Sequence, residues 1–245
     1  YSAMMLEELR KVIPAFLTRV DRPDRGALET ELRRERKRAT QAAIEHLGQA
    51  GGSMEPTEAV RLVRFDPDGE ERVVAAILFE HLPISMTAAR ERAGRMGPSE
   101  RYELISAYCG RRSNRRHKPG RAFEHTSYLF EITSDYGAFR DLQRHRMATV
   151  EWQSLSEHLG YRIPSAVIEA GWEEPFRQQA ENMAELASDM RSTLPMQAQY
   201  VLPLCSNIRY LILMNAREAM HLLELRSSEQ AHPDYRQLAI EMHRL

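Results

Sequence analysis

Residues 139–154 read FRDLQRHRMATVEWQS and are the most informative stretch of the chain. Within them Arg144 and Arg146 flank His145, and seven residues separate Arg146 from Ser154. Two planar guanidiniums beside a titratable imidazole suit a phosphate group or the anionic edge of a ring. Arginine-rich triplets also occur as solvated turns near helix C-termini, where cations complement the helix dipole. These residues alone leave both interpretations open, and the solvated turn is the commoner one.

The composition fits a globular protein whose anion site, if it has one, is local. The 245 residues are 42% hydrophobic and 28% charged, which predicts one sizeable domain, or one domain with an appendage. The net charge of −1 gives no argument for nucleic acid or an anionic membrane as the main partner. The two cysteines lack metal or redox spacing, and no apolar run approaches the roughly 20 residues of a membrane span. Without a secretion signal, a cytoplasmic protein is expected.

The first 50 residues are predicted to be a helical extension of the main domain. An amphipathic helical pattern begins near Leu6, residues 21–26 form a turn, and residues 28–47 form a heavily charged helix. Residues 48–56 read as a linker. The chain starts with Tyr1 rather than Met, so we expect it to be a piece of a longer protein.

The main domain, residues 57–245, mixes strand and helix patterns. Residues 60–65 alternate as a strand does, and residues 66–69 form a turn. A second strand is predicted from Ser127 to Thr133. Helices are predicted over residues 71–82, over 99–110, over 173–199 with an end before Pro195, and after Pro203 up to Arg226.

The stretch after Pro203 is predicted to be one long amphipathic helix. At helical spacing, Asn215 and Arg226 interrupt an apolar stripe, and a buried amide and charge need partners. Arg217 and His221 lie four residues apart on another face. The helix is therefore expected to present polar groups in two directions.

Residues 111–121 contain six Lys or Arg, and Pro119 and Gly120 make them a loop. Three interpretations compete: a solvated loop, a phosphate-facing loop at a nucleotide site, and an RNA-contacting patch. No aromatic residue interleaves for base stacking, which weakens the third interpretation. We favour the phosphate-facing loop because residues 123–125, Phe-Glu-His, follow directly.

Taken together, these residues resemble the flavin-dependent thymidylate synthase family, also called thymidylate synthase complementing proteins. The resemblance is carried in order by residues 123–125, by the Arg-His-Arg triplet with Ser154, and by the motif from Asn215-Ala-Arg217 to Leu225-Arg226. It implies an α+β fold, a twisted sheet flanked by helices. It also implies a homo-oligomer, a tetramer whose active sites form where subunits meet.

The resemblance further implies a role for each matching residue. FAD would be bound by His125, Ser127, Arg144, His145, Arg146, Asn215, Arg217 and His221. The substrate dUMP would be bound by Ser154 and Arg226, and Arg226 would be the catalytic group that stabilises negative charge on the pyrimidine. NADPH and methylenetetrahydrofolate would be the co-substrates for reductive methylation of dUMP to dTMP.

One departure from the family pattern removes a nucleotide anchor. Ser156 stands where the family usually has an Arg that grips dUMP. Losing one charge-assisted hydrogen bond typically costs about 1.5–3 kcal/mol, enough to weaken binding by one to two orders of magnitude. Arg162 or the loop at residues 111–121 could substitute, so Arg162 joins the predicted substrate-binding residues.

Two further departures lie near the triplet. Asp141 replaces a Gln and, beside a phosphate, needs Arg140 or Arg144 as a partner. Trp152 replaces a polar residue often found at the flavin. The flavin set is thus more complete than the nucleotide set.

That asymmetry leaves other functions open. In one alternative the chain is the divergent half of a tandem protein, its first 50 residues are the tail of a preceding copy, and it serves flavin binding or assembly without turnover. A less favoured alternative is a nucleic-acid-binding module using residues 33–38 and 111–121, whose affinity would fall steeply with salt. A serine hydrolase is unsupported because no Gly-x-Ser-x-Gly elbow is present, and no histidine pair has metal-ligand spacing, so no metal is expected.

Overall fold

The chain consists of two compact units, residues 1–53 and 54–245, and its computed structural model describes residues 1–22, 24, 26–47 and 59–245. The first unit contains α1 (Ser2–Val12), α2 (Pro14–Asp21) and α3 (Ala27–His46). The predicted helix over residues 28–47 is therefore confirmed. The amphipathic pattern near Leu6 forms two helices, because Pro14 occupies a first-turn position where its missing N–H is tolerated. The predicted linker at residues 48–56 lies outside the described residues.

The second unit contains a four-stranded sheet with helices between and after its strands. Its elements in order are β1 (Val60–Phe65), α4 (Gly69–His81), α5 (Met86–Arg95), α6 (Pro98–Cys109), β2 (Ser127–Asp135), α7 (Tyr136–Leu142), β3 (Thr149–Trp152), α8 (Ser165–Glu169), α9 (Glu173–Arg191), β4 (Asn207–Asn215), α10 (Ala216–Arg226) and α11 (Pro233–Arg244). The prediction of an α+β fold is confirmed at this level. Short 3₁₀ turns occur at Arg121–His125, Glu157–Leu159 and Ala198–Tyr200.

The sheet has the order β1-β2-β4-β3, and every neighbouring pair is antiparallel. β2 and β4 pair over their whole lengths, from Ser127 opposite Asn215 to Asp135 opposite Asn207. β4 lies between β2 and β3, so its backbone is hydrogen-bonded on both sides. The end of β4 at Asn215 is thus held firmly, which fixes where the following helix begins.

The core lies on one face of the sheet. Along β4 the side chains of Ile208, Tyr210, Ile212 and Met214 are all buried, while the intervening residues are half-buried. This period of two is the pattern of a strand that covers a core with one face. The buried face packs against residues of α7, α10 and α11, among them Phe139, Leu222 and Leu238.

The prediction of one long helix after Pro203 is wrong. Residues 207–215 form β4, and helix occurs only from Ala216 to Arg226. Apolar residues occupy most positions between Ile208 and Met214, so the segment satisfies helical and strand periods alike. Long-range pairing with β2 and β3 decides in favour of the strand, and local pattern cannot reveal that pairing.

The other predicted elements are confirmed with small shifts at their ends. β1, α4, α6 and β2 match the predictions, and α9 ends at Arg191, before Pro195. α4 is buried along Val73–Leu78 because it packs on one side against α5 and on the other against the turn at Phe123 and the start of α10. None of the helices among the described residues is long and apolar enough to cross a membrane.

Candidate functional site

Two segments far apart in the sequence meet beside the start of α10. Asn215 caps this helix, because its Oδ1 accepts a hydrogen bond from the backbone N–H of Glu218 at 2.9 Å. After α7 the chain turns back at His145, whose backbone N–H donates to the carbonyl of Leu142 at 3.2 Å. The turn brings the triplet of residues 144–146 to the cleft that α10 lines.

The meeting point is a cleft of about 420 Å³. The sequence-predicted residues that line it are Arg144, His145, Arg146, Asn215, Arg217, His221 and Arg226. The loop before β2 adds Arg112, Arg115 and Lys118, and the cleft also contains two carboxylates, Glu124 and Glu218. In a chain with a net charge of −1, this excess of cations beside a helix N-terminus creates a strong local site for anions.

His145 lies at the centre of a buried hydrogen-bond network. Its Nδ1 lies 2.8 Å from Oε1 of Glu218, and its Nε2 accepts a hydrogen bond from Nε of Arg226 at 3.1 Å. A guanidinium nitrogen can only donate, so Nε2 carries a lone pair and the ring hydrogen is on Nδ1. His145 is therefore a neutral imidazole that donates to Glu218, and both of its nitrogens are occupied.

Arg226, the last residue of α10, is held by three contacts. Besides the bond to His145, its Nη2 donates to the carbonyl of Asp141 at 2.8 Å. The guanidinium also lies over the ring of Tyr235, 5.1 Å from its centroid. All these partners are formally uncharged, so the positive charge of Arg226 is not neutralised by them. The remaining N–H groups of the fork are available to a ligand in the cleft.

Arg217 is held at the other wall of the cleft. Its Nε donates to the carbonyl of Pro119 at 2.9 Å, and its Nη1 donates to Glu124 at 3.2 Å. Glu124 also accepts from Arg121, and this guanidinium, followed by Arg217, holds the pKa of the Glu124 carboxyl below its usual range. The charge of Arg217 is thus shared with a carboxylate, unlike that of Arg226.

Part of the basic loop at residues 111–121 lines the cleft, and its role in facing a phosphate stays a prediction. Arg112 forms a double hydrogen bond with Glu224 of α10, at 2.7 and 2.8 Å, and this carboxylate raises the pKa of the guanidinium. Arg115 and Lys118 have no hydrogen-bond or ion-pair partner among the described residues, and the same is true of Arg146. Three cations are therefore free to meet an anionic ligand.

Four predicted residues do not line this cleft. Ser127 donates from its backbone N–H and its hydroxyl to Asp66, at 2.8 and 3.2 Å. His125 and Ser154 are exposed on the surface. Arg162 forms an ion pair with Asp234 at 2.9 Å. Within one chain the structure thus brings together most of the predicted flavin set and separates the predicted nucleotide set.

Asp141 and Trp152, the two residues near the triplet that depart from the family pattern, each contact an identifiable side chain. Nε of Arg144 lies 3.5 Å from Oδ1 of Asp141, so one of the two partners expected for this carboxylate is found beside it. Trp152 lies on β3 with its ring 5.6 Å from that of Phe139 and does not line the cleft. Arg217 and Arg226 leave α10 toward different walls, as expected, but Arg217, His221 and Arg226 line one cleft rather than two separate surfaces.

One group of side chains has the composition of a metal site. Potential ligand atoms of His145, Glu218 and His221 lie within 4.8 Å of one another, although no single element carries two histidines at ligand spacing. Both nitrogens of His145 are already hydrogen-bonded, one of them to the cation Arg226. The surrounding positive charge also disfavours a divalent cation. The site suits an anion better than a metal, and the absence of a metal stays a prediction.

Sequence reasoning missed Glu218 as a member of the site. The residue occupies the third position of α10, where a carboxylate often serves only to complement the helix N-terminus. Its contact with His145 joins residues 73 apart in sequence. Only the pairing of β4 within the sheet brings the two together, so no local signal identifies Glu218.

Comparison with known proteins identifies the family of the chain. A family model described as "Thymidylate synthase complementing protein" matches residues 61–245. A "UPF0159 protein" of Chlamydia muridarum is 35% identical over 97% of this chain and 45% of its own length. The "UPF0159 protein Ta1429" of Thermoplasma acidophilum is 34% identical over 76% of this chain and 38% of its own length.

A third relative is covered over most of its own length. The "Flavin-dependent thymidylate synthase" of Geobacter sulfurreducens is 28% identical over 76% of this chain and 81% of its own length. The chain spans less than half of the UPF0159 relatives. Because the family model covers most of the sequence, the chain belongs to the thymidylate synthase complementing protein family.

Proposed function

We propose that this chain is an FAD-dependent thymidylate synthase, which methylates dUMP to dTMP with methylenetetrahydrofolate and NADPH. The observation that carries the proposal is the convergence of residues 144–146 with Asn215, Arg217, His221 and Arg226 on one cationic cleft. These segments are about seventy positions apart, and each matches a motif of the family to which the chain belongs.

The size and charge of the cleft support the proposal that it binds FAD. A volume of about 420 Å³ is within the usual range for ligand sites, roughly 300–1,000 Å³. Arg115, Lys118 and Arg146 have no hydrogen-bond or ion-pair partner in the described part of the chain and suit the pyrophosphate of a dinucleotide. When bound, FAD supplies the hydride that reductive methylation needs. His125 and Ser127 belong to the proposed flavin set by motif alone.

Arg226 has the geometry expected of the group that stabilises charge on the pyrimidine. Its plane is fixed by His145, by the carbonyl of Asp141 and by the ring of Tyr235. A guanidinium held in this way does not need to reorganise when negative charge develops on a substrate. We assign Arg226 the catalytic role and a share in binding dUMP.

The remaining nucleotide contacts are proposed to come from an oligomer. Ser154 and Arg162 do not line the cleft of their own chain, and Ser154 is exposed. In a tetramer, or in a tandem protein that mimics one, the surface carrying Ser154 from one copy would complete the cleft of another. The synthase-like domain of this scheme is residues 57–245, and residues 1–50 are the tail of a preceding copy.

The experiment that tests this function is detection of the product. The purified full-length protein is incubated with FAD, NADPH, methylenetetrahydrofolate and dUMP, and dTMP is measured by mass spectrometry. We expect dTMP with the complete mixture and none when FAD or NADPH is omitted. Absence of dTMP from a protein that binds FAD and dUMP would contradict the proposal.

A second candidate function is flavin binding or assembly without turnover, favoured by Ser156 at the position of a usual nucleotide anchor. The substitution Ser156→Arg separates the two candidates. If only the anchor is weak, the variant binds dUMP about ten-fold more tightly and forms dTMP faster. If the chain has lost turnover for other reasons, tighter binding leaves dTMP formation unchanged.

A further inference from the structure

Glu218 is the most deeply covered carboxylate of the cleft. Its side chain is 9% exposed, that of His145 is 3% exposed, and the two are joined by a hydrogen bond of 2.8 Å. Buried carboxylates are costly unless they are paired, so a Glu at this position needs a reason. A carboxylate inside a cleft for anions is also unfavourable on charge alone, because it repels the ligand.

The hydrogen-bond directions give that reason. Glu218 can only accept while ionised, so it keeps the ring hydrogen of His145 on Nδ1. The lone pair on Nε2 then faces Nε of Arg226 at 3.1 Å and accepts its hydrogen. If the hydrogen moved to Nε2, two N–H groups would point at each other and the contact with Arg226 would be lost. The partner of one ring nitrogen thus sets what the other can bind.

We propose that Glu218 is a positioning residue for Arg226, acting through His145 to hold the guanidinium in the orientation that receives an anionic ligand. The substrate-binding role of Arg226 itself rests on the proposed function, whereas the relay from Glu218 to Arg226 does not. Arg226 also contacts the carbonyl of Asp141 and the ring of Tyr235, but among the described residues only His145 accepts the hydrogen of its Nε. The Glu218 carboxylate therefore orients the guanidinium of Arg226, although its own negative charge repels an anionic ligand.

Anion affinity tests the proposal because the loss of negative charge and the loss of positioning change the affinity of Glu218→Ala in opposite directions. Inorganic pyrophosphate is titrated calorimetrically into wild type, Glu218→Ala and Glu218→Gln. Removing a negative charge should by itself tighten binding in both variants. If Glu218 positions Arg226, Glu218→Ala instead weakens binding about ten-fold, the loss of roughly one charge-assisted hydrogen bond. Glu218→Gln retains a carbonyl acceptor for Nδ1–H, so its affinity equals or exceeds that of wild type.

A matched control is Glu157→Gln. The side chain of Glu157 is 10% exposed and pairs with Arg191, away from the residues that line the cleft. We expect this variant to lose stability but to bind pyrophosphate as wild type does. Tighter or unchanged binding by Glu218→Ala would overturn the proposal, and so would a parallel loss in Glu157→Gln.

The hydrogen on His145 can be observed directly, without any substitution. All nine histidines are described, and His145 is the one that is buried, so its slowly exchanging ring N–H identifies its signals in ¹⁵N-histidine-labelled protein. We expect the hydrogen on Nδ1 in wild type and in Glu218→Gln, and on Nε2 or on both nitrogens in Glu218→Ala. A hydrogen on Nε2 in wild type would overturn the proposal. These measurements need neither FAD nor dUMP, so a failed synthase assay leaves their outcome intact.

Discussion

Arg226, which lines the cleft, and Arg162, which does not, are both held by neighbouring groups, but their partners differ in charge. Arg226 is held by an imidazole nitrogen and a carbonyl oxygen, which orient it without neutralising it. Arg162 is held by the carboxylate of Asp234 at 2.9 Å, which neutralises it. A fixed arginine therefore offers an anionic ligand more net positive charge when its partners are uncharged.

The comparison extends to the surroundings of each arginine. The cleft around Arg226 contains Arg115, Lys118 and Arg146, for which residues 1–22, 24, 26–47 and 59–245 supply no hydrogen-bond or ion-pair partner. The surroundings of Arg162 contain Asp135, and burial, followed by the nearby Asp234, raises the pKa of its carboxyl above the usual range. The cleft around Arg226 has an excess of positive charge that favours an anion, whereas the charge of Arg162 is already neutralised by a carboxylate.

The largest expected effect comes from Arg226→Lys. Lysine keeps the charge but cannot bond to His145 and the carbonyl of Asp141 at once, so the charge is no longer fixed. We expect kcat for dTMP formation to fall by about 100-fold or more, as when an oxyanion donor is lost. FAD content should be unchanged, and Arg244→Lys on the exposed end of α11 is the control. A fall in kcat of only a few-fold would remove Arg226 from its catalytic role.

The next effect concerns FAD affinity. Arg146 lines the cleft without a partner among the described residues, so Arg146→Ala removes a ligand contact and no internal one. We expect FAD to bind about ten-fold more weakly, measured by flavin fluorescence, with an unchanged melting temperature. Arg140→Ala is the matched control, because Arg140 lies over Tyr136 and does not line the cleft. Equal FAD affinity in both variants would contradict the cleft as the flavin site.

A smaller effect is expected for the ion pair of Arg162 with Asp234 and is measured as a change in dUMP affinity. If Arg162 anchors the phosphate of dUMP, Arg162→Ala weakens dUMP binding about ten-fold. Asp234→Asn, which releases the charge of Arg162, then strengthens dUMP binding by a few-fold. FAD affinity should stay constant in both variants. If neither substitution changes dUMP affinity, Arg162 is not the anchor, and the loop at residues 111–121 becomes the better candidate.

The smallest effect is a change in the pH dependence of folding. Because the pKa of Asp135 is raised in the folded state, the folded chain holds this proton more tightly than the unfolded chain does. The contribution of Asp135 to stability therefore falls as pH rises from its unfolded pKa, near 3.9, through its folded pKa. Asp135→Asn keeps the oxygen that caps α7 but cannot ionise.

The measurement for Asp135 is urea unfolding of wild type and Asp135→Asn at a series of pH values. Other titrating groups cancel in the difference between the two proteins. We expect the variant to gain stability relative to wild type as pH rises from 4 toward neutrality, over the range in which Asp135 ionises. A difference that does not vary with pH would show that the Asp135 carboxyl titrates normally.

Motifs predicted the residues of the site better than their positions in the fold. Arg144, His145, Asn215 and Arg217 were identified because each motif is short and continuous in sequence. The mistake over residues 207–215 has a different origin, since a segment rich in Ile and Leu satisfies two periods and only long-range strand pairing selects one. Helix α10 was predicted, but its start at Asn215 depended on that pairing.

The role of Glu218 could not have been predicted from sequence for the same reason. Its carboxylate contacts His145 because the position of β4 in the sheet places the following helix, α10, beside the turn after α7. Likewise, no local pattern indicates that Arg162 pairs with Asp234, 72 positions away. Local sequence identifies groups with chemical potential, and tertiary contacts decide which of them keep a charge available.

The most direct test of the account is titration of the FAD-loaded protein with dUMP, following flavin absorbance and NADPH oxidation together. We predict a saturable change in the flavin spectrum at micromolar dUMP and faster NADPH oxidation in its presence, because the two ligands would share the cleft fixed by Arg226. If FAD binds but dUMP changes neither the spectrum nor the oxidation rate, the synthase assignment is contradicted, and flavin binding without turnover takes its place.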